Sequence, residues 1–171
     1  MLPSIIVIGL LLSFDSSAFL RTNVVEGRII PSGSMLPTIQ IQDRVMVAKG
    51  AYSFKEPAFG DIIIFQPPDE LGMKDDFIKR VIGLPGDTID IKQGKVYRNG
   101  KALNEPYIME APNYEFGPIK VPAKSLYVMG DNRNQSYDSH LWNGWVTMDH
   151  VKGKVTSIYW PISHRKSLEE N

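Results

Sequence analysis

The sequence predicts a mostly β protein built from twisted antiparallel sheets. Its 171 residues include 14 glycines and 12 prolines, a composition typical of many short strands and turns rather than long helices. The apolar runs are brief and rich in β-branched residues, and several are bounded by glycine or proline, as at residues 60–67. In addition, Asn99 and Gly100 lie between two alternating arms and indicate a hairpin, because both residues tolerate positive φ.

The predicted strands follow one another along most of the chain. In order, the segments with strand character are 23–30, 42–48, 61–65, 77–82, 88–91, 95–103, 125–130 and 151–160. An acidic loop is expected over residues 67–76, and the proline-rich stretch at 105–121 has little periodicity. We therefore predict one β-rich domain over residues 21–163, with a hairpin and loop excursion at about 92–122. A frayed tail is expected over residues 164–171.

The first 20 residues are largely apolar and approach the length of about 20 residues that crosses a bilayer. Asp15 and several serines weaken the second half of this run, and no basic residue precedes it. A cleaved signal peptide and a buried core helix are therefore alternatives to a retained membrane anchor. Arg21 suits an interfacial position, but too few charges are present to orient the segment.

Composition excludes several classes of function. Lys plus Arg and Asp plus Glu both number 19, so nothing indicates a nucleic-acid surface. The absence of cysteine excludes disulfides, thiolate metal sites and a cysteine nucleophile. No His-x-x-x-His pair and no phosphate-binding loop is present. We therefore predict neither a metal site nor a cofactor.

The stretch at residues 28–38 is the first candidate for chemistry. Pro31 and Pro37 fix φ on either side of the hydroxyls of Ser32 and Ser34. A tight turn can present a serine Oγ together with backbone N–H groups that stabilise an oxyanion. Taken alone, the same stretch also fits an ordinary loop.

A serine nucleophile needs a base, and the sequence offers two. Asp138 and His140 share one face if their segment is extended, so a Ser-His-Asp arrangement is open. Lys79 lies in the apolar stretch 77–82, where burial can lower its pKa. The alternative for Lys79 and Arg80 is a solvated pair on a strand edge.

Four stretches, at residues 28–38, 60–65, 77–87 and 130–140, together resemble the type I signal peptidases. These are membrane-anchored serine proteases with a Ser-Lys dyad, and the four stretches occur in the order of that family. The resemblance covers about residues 20–160. It implies a complex antiparallel β fold with an N-terminal anchor helix, and it implies removal of signal peptides from exported preproteins.

The resemblance also implies roles for individual residues. Ser34 matches the nucleophile and Lys79 the neutral general base. Ser136 matches the serine that orients the lysine amine, and the Ser32 hydroxyl joins the Ser34 N–H in the oxyanion hole. Many bacterial members carry arginine at the position of His140, which favours a supporting role for this histidine. The positions that match polar support around the site are Arg80, Asp131, Arg133, Asp138 and His140.

An extended substrate strand is expected to pair near residues 30–34, so alternate side chains face the protein. The family resemblance implies shallow apolar pockets and cleavage after a small-x-small sequence, with little demand beyond the cut. Ile30, Met35, Ile82 and Tyr127 are the candidates to line these pockets. The loop at 142–144 and Thr147 depart from the family pattern, and His140 is similar to thylakoid-type members.

The implied partners are secretory preproteins and the lipid bilayer, and the protein-export machinery is a further candidate. The catalytic domain is expected on the extracytoplasmic side of its membrane, in a periplasm or a thylakoid lumen. A self-cleaving repressor with a Ser-Lys dyad is one alternative, although its DNA-binding helices do not fit the short apolar N-terminus. A non-catalytic membrane-anchored binding protein is another, and it would be expected to lack Ser34 or Lys79.

Overall fold

The strands form two antiparallel sheets, which confirms the predicted mostly β fold. The computed structural model describes residues 25–142 and 144–169. Its strands are β1 (Val25–Ile29), β2 (Arg44–Ala48), β3 (Ile62–Phe65), β4 (Phe77–Gly83), β5 (Thr88–Lys92), β6 (Lys95–Arg98), β7 (Lys101–Ala102), β8 (Phe116–Lys120), β9 (Ser125–Met129), β10 (Val146–Thr147), β11 (Val151–Trp160) and β12 (Lys166–Ser167).

Helical structure within these described residues is brief. It consists of the α-helix α1 (Ser139–Trp142) and 3₁₀ turns at Asp69–Leu71, Arg133–Gln135, Met148–His150 and Ile162–His164. No helix in the described part of the chain is long and apolar enough to cross a membrane. The predicted anchor over residues 1–20 lies outside the described residues.

The larger sheet has the order β1-β2-β11-β3-β4-β9-β10 and is organised around the long strand β11. One side of β11 pairs with β2, and the other side pairs first with β3 and then with β12. The C-terminal segment therefore differs from the frayed tail expected from the sequence. β12 pairs with β11, and the Leu168 N–H donates to Thr156 O at 2.8 Å.

The smaller sheet has the order β7-β6-β5-β8 and occupies the predicted excursion. Asn99 and Gly100 have φ values of 53° and 78°, so the hairpin predicted between β6 and β7 is confirmed. Gln93 and Gly94, with φ values of 50° and 72°, form a second tight turn that the sequence analysis did not predict. The proline-rich stretch also contains the strand β8, which pairs with β5.

Both faces of β4 are covered, because apolar clusters lie on either side of the larger sheet. Val81 packs with Phe65 and Leu126 in one cluster. Ile82 packs with the residues of β5 and β6 in a second cluster, under the smaller sheet. A third cluster packs against residues 30–43, the serine turn, and includes Ile30, Met35, Ile39, Val45, Val47, Ile62, Ile64, Val155 and Ile158.

Candidate active site

Strand β4 carries Lys79 and Arg80 into the interior on opposite faces. Successive side chains of a strand alternate, so Lys79 shares its face with Phe77 and Val81. Lys79 is 4% exposed and Arg80 is 5% exposed. The Lys79 Nζ lies 5.3 Å from the centroid of the Phe77 ring. The alternative of a solvated pair on a strand edge is therefore wrong.

The serine turn fills residues 30–43 and is closed by backbone hydrogen bonds. The Ile30 N–H donates to Asp43 O at 2.9 Å, and the Gln42 N–H donates to Ile30 O at 2.9 Å. The turn places the Ser34 Oγ 2.8 Å from the Lys79 Nζ, although the two residues are 45 positions apart. The Ser32 Oγ lies 3.4 Å from the Ser34 Oγ. The structure thus brings Ser32, Ser34 and Lys79 together.

Burial changes the acid-base chemistry of Lys79. Desolvation lowers the pKa of Lys79 from 10.5 to about 8, although the negative charges of Asp138 and Asp131 raise it. A neutral amine at hydrogen-bond distance from a hydroxyl can accept its proton. Within the two described ranges, no group of three or more His, Cys, Asp or Glu side chains could hold a metal ion.

The polar segment at residues 130–140 packs directly against the serine turn. The Asn132 N–H donates to Ser34 O at 3.1 Å. A Cβ atom on Gly130 would lie only 2.3 Å from both Ser34 O and the Ser136 Oγ, so no side chain fits between them. The Ser136 Oγ is buried and has no hydrogen-bond partner among the described residues. Ser136 is therefore beside the turn, but its hydroxyl makes no hydrogen bond to the lysine in this arrangement.

Buried ion pairs hold this segment in place. Arg80 donates to both carboxylate oxygens of Asp131, at 2.9 and 2.7 Å, and Thr38 also donates to Asp131. Arg133 is fully buried and makes a bidentate pair with Glu105, with both distances 2.7 Å. Sequence reasoning missed Glu105, because it lies 28 residues from Arg133 in a stretch without regular periodicity.

Asp138 and His140 form a pair next to Gly130. The His140 Nδ1 lies 2.6 Å from Asp138 Oδ1, and Asp138 Oδ2 accepts the Gly130 N–H at 2.9 Å. The His140 ring stacks on Tyr114, with the centroids 4.0 Å apart and the planes 5° apart. Sequence reasoning also missed Tyr114. His140 is not among the residues that line the groove beside Ser34.

A groove of about 950 Å³ runs past Ser34 and Lys79. Ile30 and Met35 line this groove, as the sequence analysis expects, and Ile78 joins them as a residue that it missed. Ile82 and Tyr127 do not line it. Both are fully buried in the cluster under the smaller sheet, because they lie on a face of the larger sheet that the smaller sheet covers.

Comparisons with known proteins show which family the chain is similar to. Residues 2–160 match the family described as signal peptidase, peptidase S26. A probable signal peptidase I-2 of Synechocystis sp. is 50% identical, and the match covers 84% of this chain and 66% of that relative. The signal peptidase I of Leptolyngbya laminosa is 48% identical over 87% of this chain and 75% of that relative.

A solved structure is similar as well. The crystal structure of a signal peptidase I from Enterococcus faecalis is 32% identical, with a TM-score of 0.52, and the match covers 60% of this chain and 98% of that one. The predicted family is confirmed by the match over residues 2–160 and by relatives at up to 50% identity. The chain belongs to the signal peptidase family, peptidase S26.

Proposed function

We propose that the protein is a serine endopeptidase that removes N-terminal signal peptides from exported preproteins. The observation that carries the proposal is the 2.8 Å distance between the Ser34 Oγ and the Nζ of the buried Lys79. The family supports the same reaction class. A self-cleaving repressor is not favoured by the family match, and a non-catalytic binding protein does not require this juxtaposition.

In the proposed mechanism, Ser34 is the nucleophile and neutral Lys79 is the general base. The Ser34 Oγ attacks the carbonyl carbon of the scissile bond while Lys79 takes the hydroxyl proton. The Ser34 N–H and the Ser32 hydroxyl stabilise the negative charge on the carbonyl oxygen. The C–N bond then breaks, and the Lys79 ammonium returns the proton to the leaving amine. This step leaves the signal peptide as an ester on Ser34.

The second half of the reaction uses the same base. Lys79 takes a proton from water while the water oxygen attacks the ester carbonyl. The Lys79 ammonium returns this proton to the Ser34 Oγ as the C–O bond breaks, which releases the signal peptide as a carboxylic acid and restores the serine hydroxyl. We assign Ser136 the role of orienting the lysine amine, which is supported by its buried position beside Gly130 and Ser34. Arg80, Asp131, Arg133, Asp138 and His140 act as structural support, because their side chains pair with one another or with Glu105.

The substrate is proposed to bind as an extended strand alongside β1 and the start of the serine turn. Among the described residues, β1 pairs with β2 on one side only, so its other edge can accept hydrogen bonds from a peptide. Ile30, Met35 and Ile78 make the groove apolar next to Ser34. Such a pocket admits small side chains at the residue before the cut and at the one two positions earlier.

This arrangement predicts a small-x-small requirement. In peptides that place alanine at both positions, leucine at either position should lower kcat/KM by at least about tenfold, because the shallow pocket rejects bulk. Leucine at the middle position should have little effect. Rates of cleavage of matched synthetic peptides measure this preference. Equal cleavage of all the leucine peptides would leave a Ser-Lys hydrolase but contradict signal-peptide processing.

We also propose that the enzyme works at a membrane surface, with its catalytic domain on the extracytoplasmic side. Ile29, Arg44 and Trp160 are in register on three neighbouring strands and are exposed on one face of the larger sheet. Two apolar side chains around a cation suit the interface of an anionic bilayer. This end of β1 leads directly into the serine turn, so a membrane contact here would bring Ser34 close to a membrane-bound substrate.

Fractionation of cells that produce the whole chain tests the membrane proposal, which includes an anchor over residues 1–20. The protein should sediment with membranes, resist extraction with high salt and dissolve in detergent, because an apolar anchor is not held by charge alone. Recovery of the chain in the soluble fraction, with residue 1 still present, would contradict the anchor. A mature chain that begins near Phe19 would instead indicate a cleaved signal.

A further inference from the structure

A second cavity, of about 540 Å³, lies beside the active-site groove. Its walls come from the polar segment, from α1 and from residues 114–116 at the start of β8. Its apolar lining comes from Tyr114, Phe116, Tyr137 and Leu141, and its polar lining comes from Glu115, Asn134, Gln135, Ser136 and His140. Its volume is within the range of about 300–1,000 Å³ that is usual for ligand pockets. The proposed mechanism assigns this cavity no role.

The cavity and the groove share a wall. Gln135 and Tyr137 line both of them, and Ser136 lies between these two residues in the chain. Ser136 packs against Gly130, which in turn contacts Ser34 O. The shared wall therefore stands next to the nucleophile. A peptide that passes Ser34 meets this wall, and the cavity opens on its other side.

The direction of the substrate decides which of its residues reach the cavity. The residues before the cut lie along Ile30 and the adjoining edge of β1, so the residues after the cut must leave Ser34 on another path. The end of the groove at Arg28 belongs to β1, so the residues before the cut already occupy it. The wall at residues 135–137 is the part of the groove that remains for the chain after the cut.

The walls of the cavity are held in place by ring contacts. Tyr114 is stacked on His140, and Tyr137 packs edge-on against Phe77 and Trp142, with centroid distances of 6.4 and 5.6 Å. A preformed wall loses little conformational freedom when it binds a ligand. Leu141 is 58% exposed at the rim, so it offers apolar surface that a ligand would remove from water.

We propose that this cavity binds an apolar side chain from one of the first four residues after the cleaved bond. The inference rests on the proposed function and extends it. The sequence alone predicts little side-chain preference after the cleaved bond, whereas this cavity adds one. The apolar part of the walls selects leucine or phenylalanine over a polar residue such as asparagine, because burying an amide beside the rings and Leu141 costs more than burying an apolar side chain.

The experiment uses peptides with the same small-x-small sequence and varies the four residues after the cut one at a time. At one of these positions, the whole chain should cleave the phenylalanine peptide with a KM about tenfold lower than that of the asparagine peptide. Leu141→Asp should remove this preference and favour lysine at the same position. Phe54→Asp is the matched control, because Phe54 is 90% exposed and does not line the cavity.

The outcomes separate this inference from the proposed function. If none of the peptides is cleaved, the proposed function is wrong. If all are cleaved with the same KM whatever follows the cut, the proposed function stands and this inference is wrong. A phenylalanine preference that persists in Leu141→Asp would also overturn it. Circular dichroism of Leu141→Asp, compared with that of Phe54→Asp, checks that the variant is folded.

Discussion

Lys79→Met is expected to lower kcat/KM by at least about 10⁴-fold while the protein remains folded. Methionine is close to lysine in length and suits a site that is 4% exposed, but it cannot accept a proton. Ser34→Ala should cause a loss of the same size, because the nucleophile and its base act as one unit. Peptide cleavage and circular dichroism of both variants measure the two parts of this expectation.

The pH dependence of kcat/KM identifies the base. Because burial lowers the pKa of Lys79 to about 8, the neutral form that accepts the proton is lost as pH falls through that value. Below a pH of about 8, kcat/KM should fall about tenfold for each unit by which the pH is lowered. His140→Ala is the control and should retain activity. If His140→Ala is as inactive as Ser34→Ala while Lys79→Met still turns over, the base is a histidine.

Glu105→Ala is expected to destabilise the fold by about 3–5 kcal/mol, because it leaves the fully buried charge of Arg133 without its bidentate partner. This is a large part of a total stability of about 5–15 kcal/mol. Chemical denaturation measures the loss against Glu56→Ala, which removes an exposed carboxylate.

The effect of Glu105→Ala should also reach the active site, since the Arg133 Nε donates to Gly130 O at 3.0 Å. Replacing both charges, with Glu105→Leu and Arg133→Met together, should restore much of the lost stability because no buried charge remains unpaired. A Glu105→Ala variant that unfolds at the same denaturant concentration as Glu56→Ala would show that the pair contributes nothing.

Much of the sheet structure could be predicted from local patterns. Short β-branched runs locate most of the strands, and the asparagine-glycine pair locates a hairpin, because both signals depend on neighbouring residues. The turn at Gln93 and Gly94 carries a weaker signal, since glutamine seldom adopts positive φ. The strand β12 depends on a distant partner, β11, which no local pattern reveals.

The residues beside Ser34 were predicted better than the more distant ones. The sequence places Ser34 in a shaped turn and Lys79 on an apolar strand, and the structure brings the two together. Alternation along a strand shows which side chains share a face, but it does not show what covers that face. Ile82 and Tyr127 were therefore assigned to the substrate groove, although the smaller sheet covers them.

The missing side chain at Gly130 has a consequence for how this enzyme can change. With Ser34 O and the Ser136 Oγ each 2.3 Å from the place of a Cβ, the serine turn and the polar segment interlock at one point of backbone contact. Neither segment can move or accept bulk there without displacing the other. An exchange of the serine turn between relatives would therefore have to carry residues 130–140 with it, so that the two segments are inherited or engineered as one module.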